Sequence, residues 1–226
     1  MNTEERHRHR LMEFESLASH IGRFWLQPEL AFNYQAGDYI MLGFNSDDLK
    51  PFSIANAPRK DGLLELHIRN EQASDWMQAL FALEKGATLY SSPAKPQMQL
   101  QPEKPLNLFI AGGTGLAPMK ALLEARLAEG MTQPTKLYMG ARHAQELYLE
   151  QAMQQLAKET PLLEYIPVVS EQADYQGLKG LVHQIALEQN PELSQSHVYI
   201  CGAWAMINKA KDDFMAAGLN TAQFTH

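Results

Sequence analysis

The chain has 226 residues, 45% of them hydrophobic and 20% charged, ordinary figures for a soluble globular protein with a real core in one large domain or two small ones. Its net charge of −7 disfavours nucleic acid as a partner, because neutralising a phosphate backbone takes a basic surface. It holds no run of about 18 apolar residues to cross a membrane, and its charged start, MNTEERHRHR, lacks the apolar core of a signal peptide.

The single cysteine, Cys201, excludes an internal disulfide and a four-cysteine iron–sulfur cluster, and it fits a reducing, cytoplasmic setting. Near the N-terminus His7 and His9 alternate with arginines. No further ligand spacing follows, so a solvated tail or strand edge is expected there and no metal site.

Residues 11–26 alternate apolar and polar side chains in short runs that end at Gln27-Pro28. Residues 32–44 read FNYQAGDYIMLGF, a turn at Ala36-Gly37-Asp38 followed by a β-rich run. A short strand at 51–55 is closed by Asn56-Ala57-Pro58 and Lys60-Asp61-Gly62. Leu64, Leu66 and Ile68 then alternate with Glu65, His67 and Arg69, the pattern of a half-buried strand with His67 on its polar, surface side. One helix interrupts the strands. Ser74 caps it, Trp76, Met77, Leu80 and Phe81 form its apolar stripe, and Lys85-Gly86 ends it before a strand at 87–91. Short strands with Gly/Pro punctuation predict a small antiparallel barrel.

Two stretches of this half carry chemistry. Lys50-Pro51-Phe52-Ser53 sets a cation, a fixed turn residue, an aromatic ring and a hydroxyl side by side, suited to a flat, phosphate-bearing ring system; the alternative is a surface lysine before an ordinary strand. Ser74 at a helix start, with Arg69 nearby, is a phosphate site or a plain cap.

Pro93, Pro96, Pro102 and Pro105 mark a linker, and the domain boundary is placed near residues 101–103, giving domains 1–102 and 103–226. Beyond it, residues 106–111 have the composition of a buried parallel strand. The strand runs into Gly112-Gly113-Thr114-Gly115, and Pro118, Met119, Leu122, Leu123 and Leu127 continue at helical spacing to a stop at Gly130. Glycines bring backbone close to a ligand, and a helix start attracts an anion such as a pyrophosphate. A tight connection without a ligand is the other reading. The stretch is neither a G-x-G-x-x-G fingerprint nor a Walker loop.

Further strands are predicted at 136–139, 163–169, 198–201 and 222–226, with helices at 118–129, 145–158, 181–188 and 203–217 between them. This alternation predicts a parallel sheet with helices on both faces. Ligands of such sheets lie outside the carboxyl ends of the strands. Those ends carry 112–115, Gly140-Ala141-Arg142, Ser170 and Cys201-Gly202, with Met206 one turn into the following helix. Arg142 meets a ribose or its 2′-phosphate, or is simply solvated. Cys201 is a buried small hydrophobe or faces a ligand.

In order along the chain stand Lys50-Pro51-Phe52-Ser53, a helix started by a serine, Gly112-Gly113-Thr114-Gly115-Leu116-Ala117-Pro118, Tyr138-Met139-Gly140-Ala141-Arg142 with Leu147-Tyr148, Tyr175-Gln176-Gly177 with Gly180, and Tyr199-Ile200-Cys201-Gly202 with Met206. This order resembles the ferredoxin–NADP⁺ reductase superfamily, and within it the bacterial NAD(P)H-flavin reductases and the reductase modules of oxygenase systems. The resemblance runs from about residue 32 to residue 215. It implies an N-terminal flavin-binding antiparallel β-barrel and a C-terminal Rossmann-like α/β domain for NAD(P). By position, Pro51, Phe52 and Ser53 lie along the isoalloxazine with the Ser53 hydroxyl near N5, and Ser74 approaches the flavin phosphates. Gly113, Thr114 and Gly115 receive the pyrophosphate of the pyridine nucleotide, and Cys201, Gly202 and Met206 border the nicotinamide. The chain departs from the family in three ways. Lys50 stands where arginine is usual, which keeps the charge and loses the two-pronged phosphate grip. Gln72 and Ala73 replace a glycine before the serine. The sequence ends at His226, where relatives often extend to an aromatic residue near the flavin.

The implied activity is hydride transfer from C4 of NADH or NADPH to N5 of FAD or FMN, rings held roughly 3–3.5 Å apart. Ser53 polarises N5 and Cys201 positions the nicotinamide; no acid–base pair is required. Flavin is then either a substrate that leaves reduced, or a bound group that passes electrons to a separate ferredoxin or oxygenase. A non-catalytic nucleotide-binding subunit that docks to a partner is a third reading.

Overall fold

The computed structural model describes residues 6–45, 47–70, 74–101 and 104–226. Gln72 and Ala73 fall outside these residues, as do Pro102 and Glu103 at the expected boundary. The chain divides into two compact units, Met1–Gln99 with Lys120–Ala125, and Leu100–Met119 with Arg126–His226.

In the first unit, β1 (His7–Ala18), β2 (Ile21–Pro28), β3 (Tyr39–Gly43), β4 (Leu49–Ser53), β5 (Leu64–Arg69) and β6 (Thr88–Ser91) pair antiparallel in the order β4-β3-β6-β1-β2-β5. The two outer strands meet through an Ile54–Leu66 bridge. There the Ala55 N–H donates to the Glu65 carbonyl at 2.7 Å, so the sheet closes into a barrel. Leu11, Phe24, Leu26, Ile40, Leu42 and Leu66 fill it. The turn into β3 needs Gly37: its φ is +91°, and a Cβ would lie 2.0 Å from the Met98 carbonyl oxygen. Between β5 and β6 runs α1 (Asp75–Phe81), with the Ser74 hydroxyl accepting from the Met77 N–H.

Two expectations fail here for one reason. His67 is buried, not a surface residue, because β5 is covered on both faces. His9 is buried as well: β1 lies inside the sheet between β6 and β2, and His9 Nε2 meets Ser91 Oγ at 2.7 Å. Polar alternation marks an exposed face only when nothing packs on that face.

The second unit holds β7 (Leu106–Gly112), α2 (Leu116–Ala128), β8 (Thr135–Ala141), α3 (Glu150–Glu159), β9 (Leu163–Val169), β10 (Leu178–Lys179), α4 (Val182–Glu188), β11 (Ser196–Cys201), α5 (Trp204–Ala216) and β12 (Phe224–Thr225), with the middle of α2 counted in the first unit. The sheet is parallel, in the order β10-β9-β8-β7-β11-β12. Val182, Ala186, Ile207, Ala210 and Phe214 of α4 and α5 pack with Leu108, Ile110 and Ile200 of the sheet. The alternate residues Asn107, Phe109 and Ala111 are buried too, so both faces are covered, as a parallel sheet requires. The two-residue β10 escapes sequence reading because both its residues are exposed. No helix among the described residues is long and apolar enough to cross a membrane.

Candidate functional site

The strand order decides where the α/β unit can bind a ligand. From β7 the chain builds outward through β8, β9 and β10, then returns to β7's other side with β11. The carboxyl ends of β7 and β11 therefore flank a topological switch point, where diverging connections leave a crevice. Gly112 ends β7 and Gly113, Thr114 and Gly115 follow it, while Cys201 ends β11 and Gly202 follows.

These residues pack together closely. A Cβ on Gly115 would lie 2.1 Å from the Cys201 carbonyl oxygen, and one on Gly112 would lie 2.8 Å from Met206 Sδ. A Cβ on Gly202 would lie 2.6 Å from Met206 Cε. Gly113 has φ +55° and opens a single 3₁₀ turn, Gly113–Gly115, that runs directly into α2. The first amides of such a segment have no acceptor within it and face outward with the positive end of the helix dipole. The close packing leaves no room for side chains at 112, 115 and 202, and the outward-facing amides of the turn fit an anion such as a pyrophosphate. Burial pushes the Cys201 thiol up to about 11, against a backbone hydrogen bond at Gly202. The thiol is neutral at ordinary pH, so it can pack and position but does not act as a nucleophile.

Arg142 stands one strand away, just past β8, exposed and paired with Glu146 at 3.8 Å. His143 Nδ1 shares the same carboxylate at 3.1 Å. Ser170, at the end of β9, donates to the Ala141 carbonyl at 3.4 Å.

In the barrel unit, Lys50, Pro51, Phe52 and Ser53 lie along β4, which over its length pairs with β3 alone among the described residues. Pro51 is exposed and Lys50, Phe52 and Ser53 are half-buried. Trp76 gathers this stretch. The Lys50 ammonium sits 4.9 Å from the centre of its ring, Phe52 stacks on it at 6.1 Å and 21°, and Phe44 meets it edge-on at 5.2 Å. Trp76 Nε1 is shielded from solvent and has no acceptor among the described residues. A flat aromatic wall, a cation and an orphan donor beside an open strand edge fit a planar ligand rich in carbonyl groups, as an isoalloxazine is. The Ser53 hydroxyl donates to Gln97 Oε1 at 3.3 Å, a long bond that a better acceptor can displace. The Ser74 hydroxyl oxygen accepts from the Met77 N–H at 3.3 Å, the cap bond, and its O–H remains to donate. Arg69 ends β5 opposite Ile21, half-buried.

Sequence reasoning missed Trp76, which it placed in the apolar stripe of α1. Its position two residues after the cap is visible in the chain, but its three ring partners come from β3–β4 and are joined only by folding. Among the described residues no group of three or more His, Cys, Asp or Glu side chains is arranged to hold a metal ion.

Residues 109–212 match the family described as the oxidoreductase NAD-binding domain. The chain is 32% identical over 210 residues to a probable flavin reductase of Photobacterium leiognathi, covering 90% of this chain and 89% of that protein. It is also 32% identical over 214 residues to the NAD(P)H-flavin reductase of Vibrio harveyi, covering 91% and 90%. Among solved structures, the cytochrome P450 reductase GcoB of Amycolatopsis superposes with a TM-score of 0.89 at 25% identity, over 98% of this chain and 68% of that one.

Proposed function

The chain belongs to the NAD(P)H-flavin reductase family, and on that premise we propose that it is an oxidoreductase that transfers a hydride from NAD(P)H to a flavin substrate. The observation that carries the proposal is the packing of Gly112, Gly115, Cys201, Gly202 and Met206 at the switch point between β7 and β11. It supports a nucleotide whose pyrophosphate rests on the amides of Gly113, Thr114 and Gly115 and whose nicotinamide lies against Cys201, Gly202 and Met206. FAD, FMN or riboflavin supplies a ring that accepts two electrons and a proton.

The chain's own residues bind and orient. On the barrel, Phe52 and Trp76 give an apolar wall for the ring, and the Ser53 hydroxyl supplies a hydrogen bond toward N5. By donating to N5 the Ser53 hydroxyl would draw electron density from the ring and so favour hydride uptake. The neutral Cys201 thiol sets the nicotinamide plane without competing chemistry. Lys50 rests on Trp76, which supports a flavin held by its ring and released after reduction. The lone cysteine supports a reducing, cytoplasmic setting. We place the boundary of the two functional domains near residues 101–103.

A second reading is favoured by the similarity to the P450 reductase: flavin stays bound and electrons pass to a separate ferredoxin or oxygenase. The visible spectrum of the desalted protein separates the two. Colourless protein that oxidises NAD(P)H only with added flavin supports flavin as substrate. A stoichiometric flavin band supports the reductase component. Colourless protein inactive with NADH or NADPH and every flavin overturns both and favours a docking subunit.

A further inference from the structure

The barrel unit contains a cluster of charged groups that the proposed chemistry does not use. Glu65 of β5 has a side chain 1% exposed, and the ammonium of Lys120 meets its Oε2 at 2.7 Å. Lys120 also donates to Glu124 Oε1 at 2.6 Å and to the Ala55 carbonyl at 3.2 Å, which occupies all three of its N–H groups. The other oxygen of Glu65 meets His67 Nε2 at 2.9 Å and Arg23 Nη1 at 3.7 Å. Glu124 Oε2 accepts from the Ala57 N–H at 3.0 Å. Asn56, between these two backbone contacts, accepts from the Glu65 N–H at 2.7 Å and donates to the Leu63 carbonyl at 2.9 Å and the Tyr34 hydroxyl at 2.9 Å.

Residues 55–57, which begin two residues after Ser53, are reached from this cluster by Lys120 at the Ala55 carbonyl and by Glu124 at the Ala57 N–H, with Asn56 bonded between them. Ala55 is held at both ends, its carbonyl by Lys120 and its N–H by the Glu65 carbonyl. We propose that Lys120, with Glu65 and Glu124, is the positioning residue for the flavin-side strand: it fixes the backbone at 55–57 and thereby the direction in which β4 presents Phe52 and Ser53. This rests on the reading that β4 receives the flavin.

Stability alone does not account for the cluster. Taking Glu65 and Lys120 out of water offsets much of their attraction, and apolar replacements of buried ion pairs are often neutral for stability. What the network adds is a fixed geometry at 55–57, where the Ala55 carbonyl, the Asn56 amide and the Ala57 N–H each meet a partner. The groups facing Glu65 come from three elements: Arg23 of β2, His67 of β5, and Lys120 of α2. Burial opposes the Glu65 charge, yet the His67 bond and the Lys120 ammonium together outweigh it, so its pKa lies below the ordinary carboxylate value. Burial holds His67 below its usual value despite the Glu65 bond, so the pair is ionised carboxylate and neutral imidazole.

The test compares the full chain with Lys120→Met, Lys120→Arg and Glu124→Gln. Riboflavin binding is read by quenching of flavin fluorescence, turnover by NADH oxidation at limiting and saturating riboflavin, and folding by thermal unfolding. We expect Lys120→Met to weaken riboflavin binding and raise its KM about tenfold, since a charged hydrogen bond is lost. Lys120→Arg restores most of that loss, Glu124→Gln loses about threefold, and the KM for NADH moves less than about twofold. If Lys120→Met does not fold, Glu124→Gln decides, because its carboxylate is half-exposed. Folded variants that bind riboflavin like the parent chain, or that change only the KM for NADH, overturn the positioning role alone. A parent chain that binds no riboflavin overturns the flavin reading itself and this inference with it.

Discussion

Gly115 and Cys201 touch so closely that a Cβ on Gly115 would lie 2.1 Å from the Cys201 carbonyl oxygen. That oxygen belongs to backbone at the end of β11 and cannot swing away. Gly115→Ala therefore forces β7 and β11 apart at their carboxyl ends. We expect a loss of about 1–3 kcal/mol in urea-unfolding stability and a raised KM for NAD(P)H. An alanine variant with the parent's stability and KM would show that the crevice is not the nucleotide site.

Ser53 holds only a 3.3 Å bond to Gln97, so its hydroxyl is available to a ligand. Ser53→Ala should slow flavin reduction in stopped-flow traces by about tenfold, the worth of one hydrogen bond, while the KM for NAD(P)H stays put. Unchanged reduction rates would remove Ser53 from the chemistry.

The Lys50 ammonium lies over Trp76, 4.9 Å from the ring centre. The site should then read the ring rather than the phosphate, and KM values for riboflavin and FMN should agree within about threefold, against tenfold or more for a bidentate phosphate grip. Steady-state kinetics with the two flavins give the ratio directly, and a strong preference for FMN would restore Lys50 as a phosphate ligand.

Burial at Cys201 predicts slow chemistry. With its thiol pushed up to about 11, iodoacetamide should react at pH 8 far more slowly than with a free thiol near 8.5, and the rate should climb through pH 9 and beyond. A plateau by pH 8 would mean an activated thiolate instead.

His9 supplies a pH dependence of stability. Burial, helped by the charge of His7, lowers its pKa to about 4 from 6.5. Above pH 6.5 neither folded nor unfolded chain protonates it. Between 6.5 and 4 the unfolded chain takes up a proton that the folded one refuses, so stability falls as acid is added, by about 3 kcal/mol over the whole interval. Urea midpoints measured from pH 7 to pH 4 should fall less steeply in His9→Gln than in the parent chain; parallel curves would contradict the burial of the imidazole.

Much of the site was legible before folding because it is local in the chain. The turn at 112–115, its glycines and the helix after it form one continuous stretch, and the structure packs Gly202 and Met206 against it. The polar contacts were not legible. Glu65 and His67 alternate with leucines, and alternation cannot tell a solvated face from one that a charged cluster fills. Lys120 sits 55 residues from Glu65, and sequence spacing carries no sign that they bond.

By itself, the sequence determined the two-part architecture, the strand–glycine–helix unit and the family, because periodicity and turn chemistry act over a few residues. Only the tertiary structure decided that Trp76 gathers Lys50 and Phe52, that His9 and His67 lie inside, and that residues 55–57 are braced by Lys120 and Glu124. The physical reason is that burial and ion pairing depend on which surfaces meet. Strand order sets that, and closing the β4–β5 seam is an event no local stretch of the chain contains.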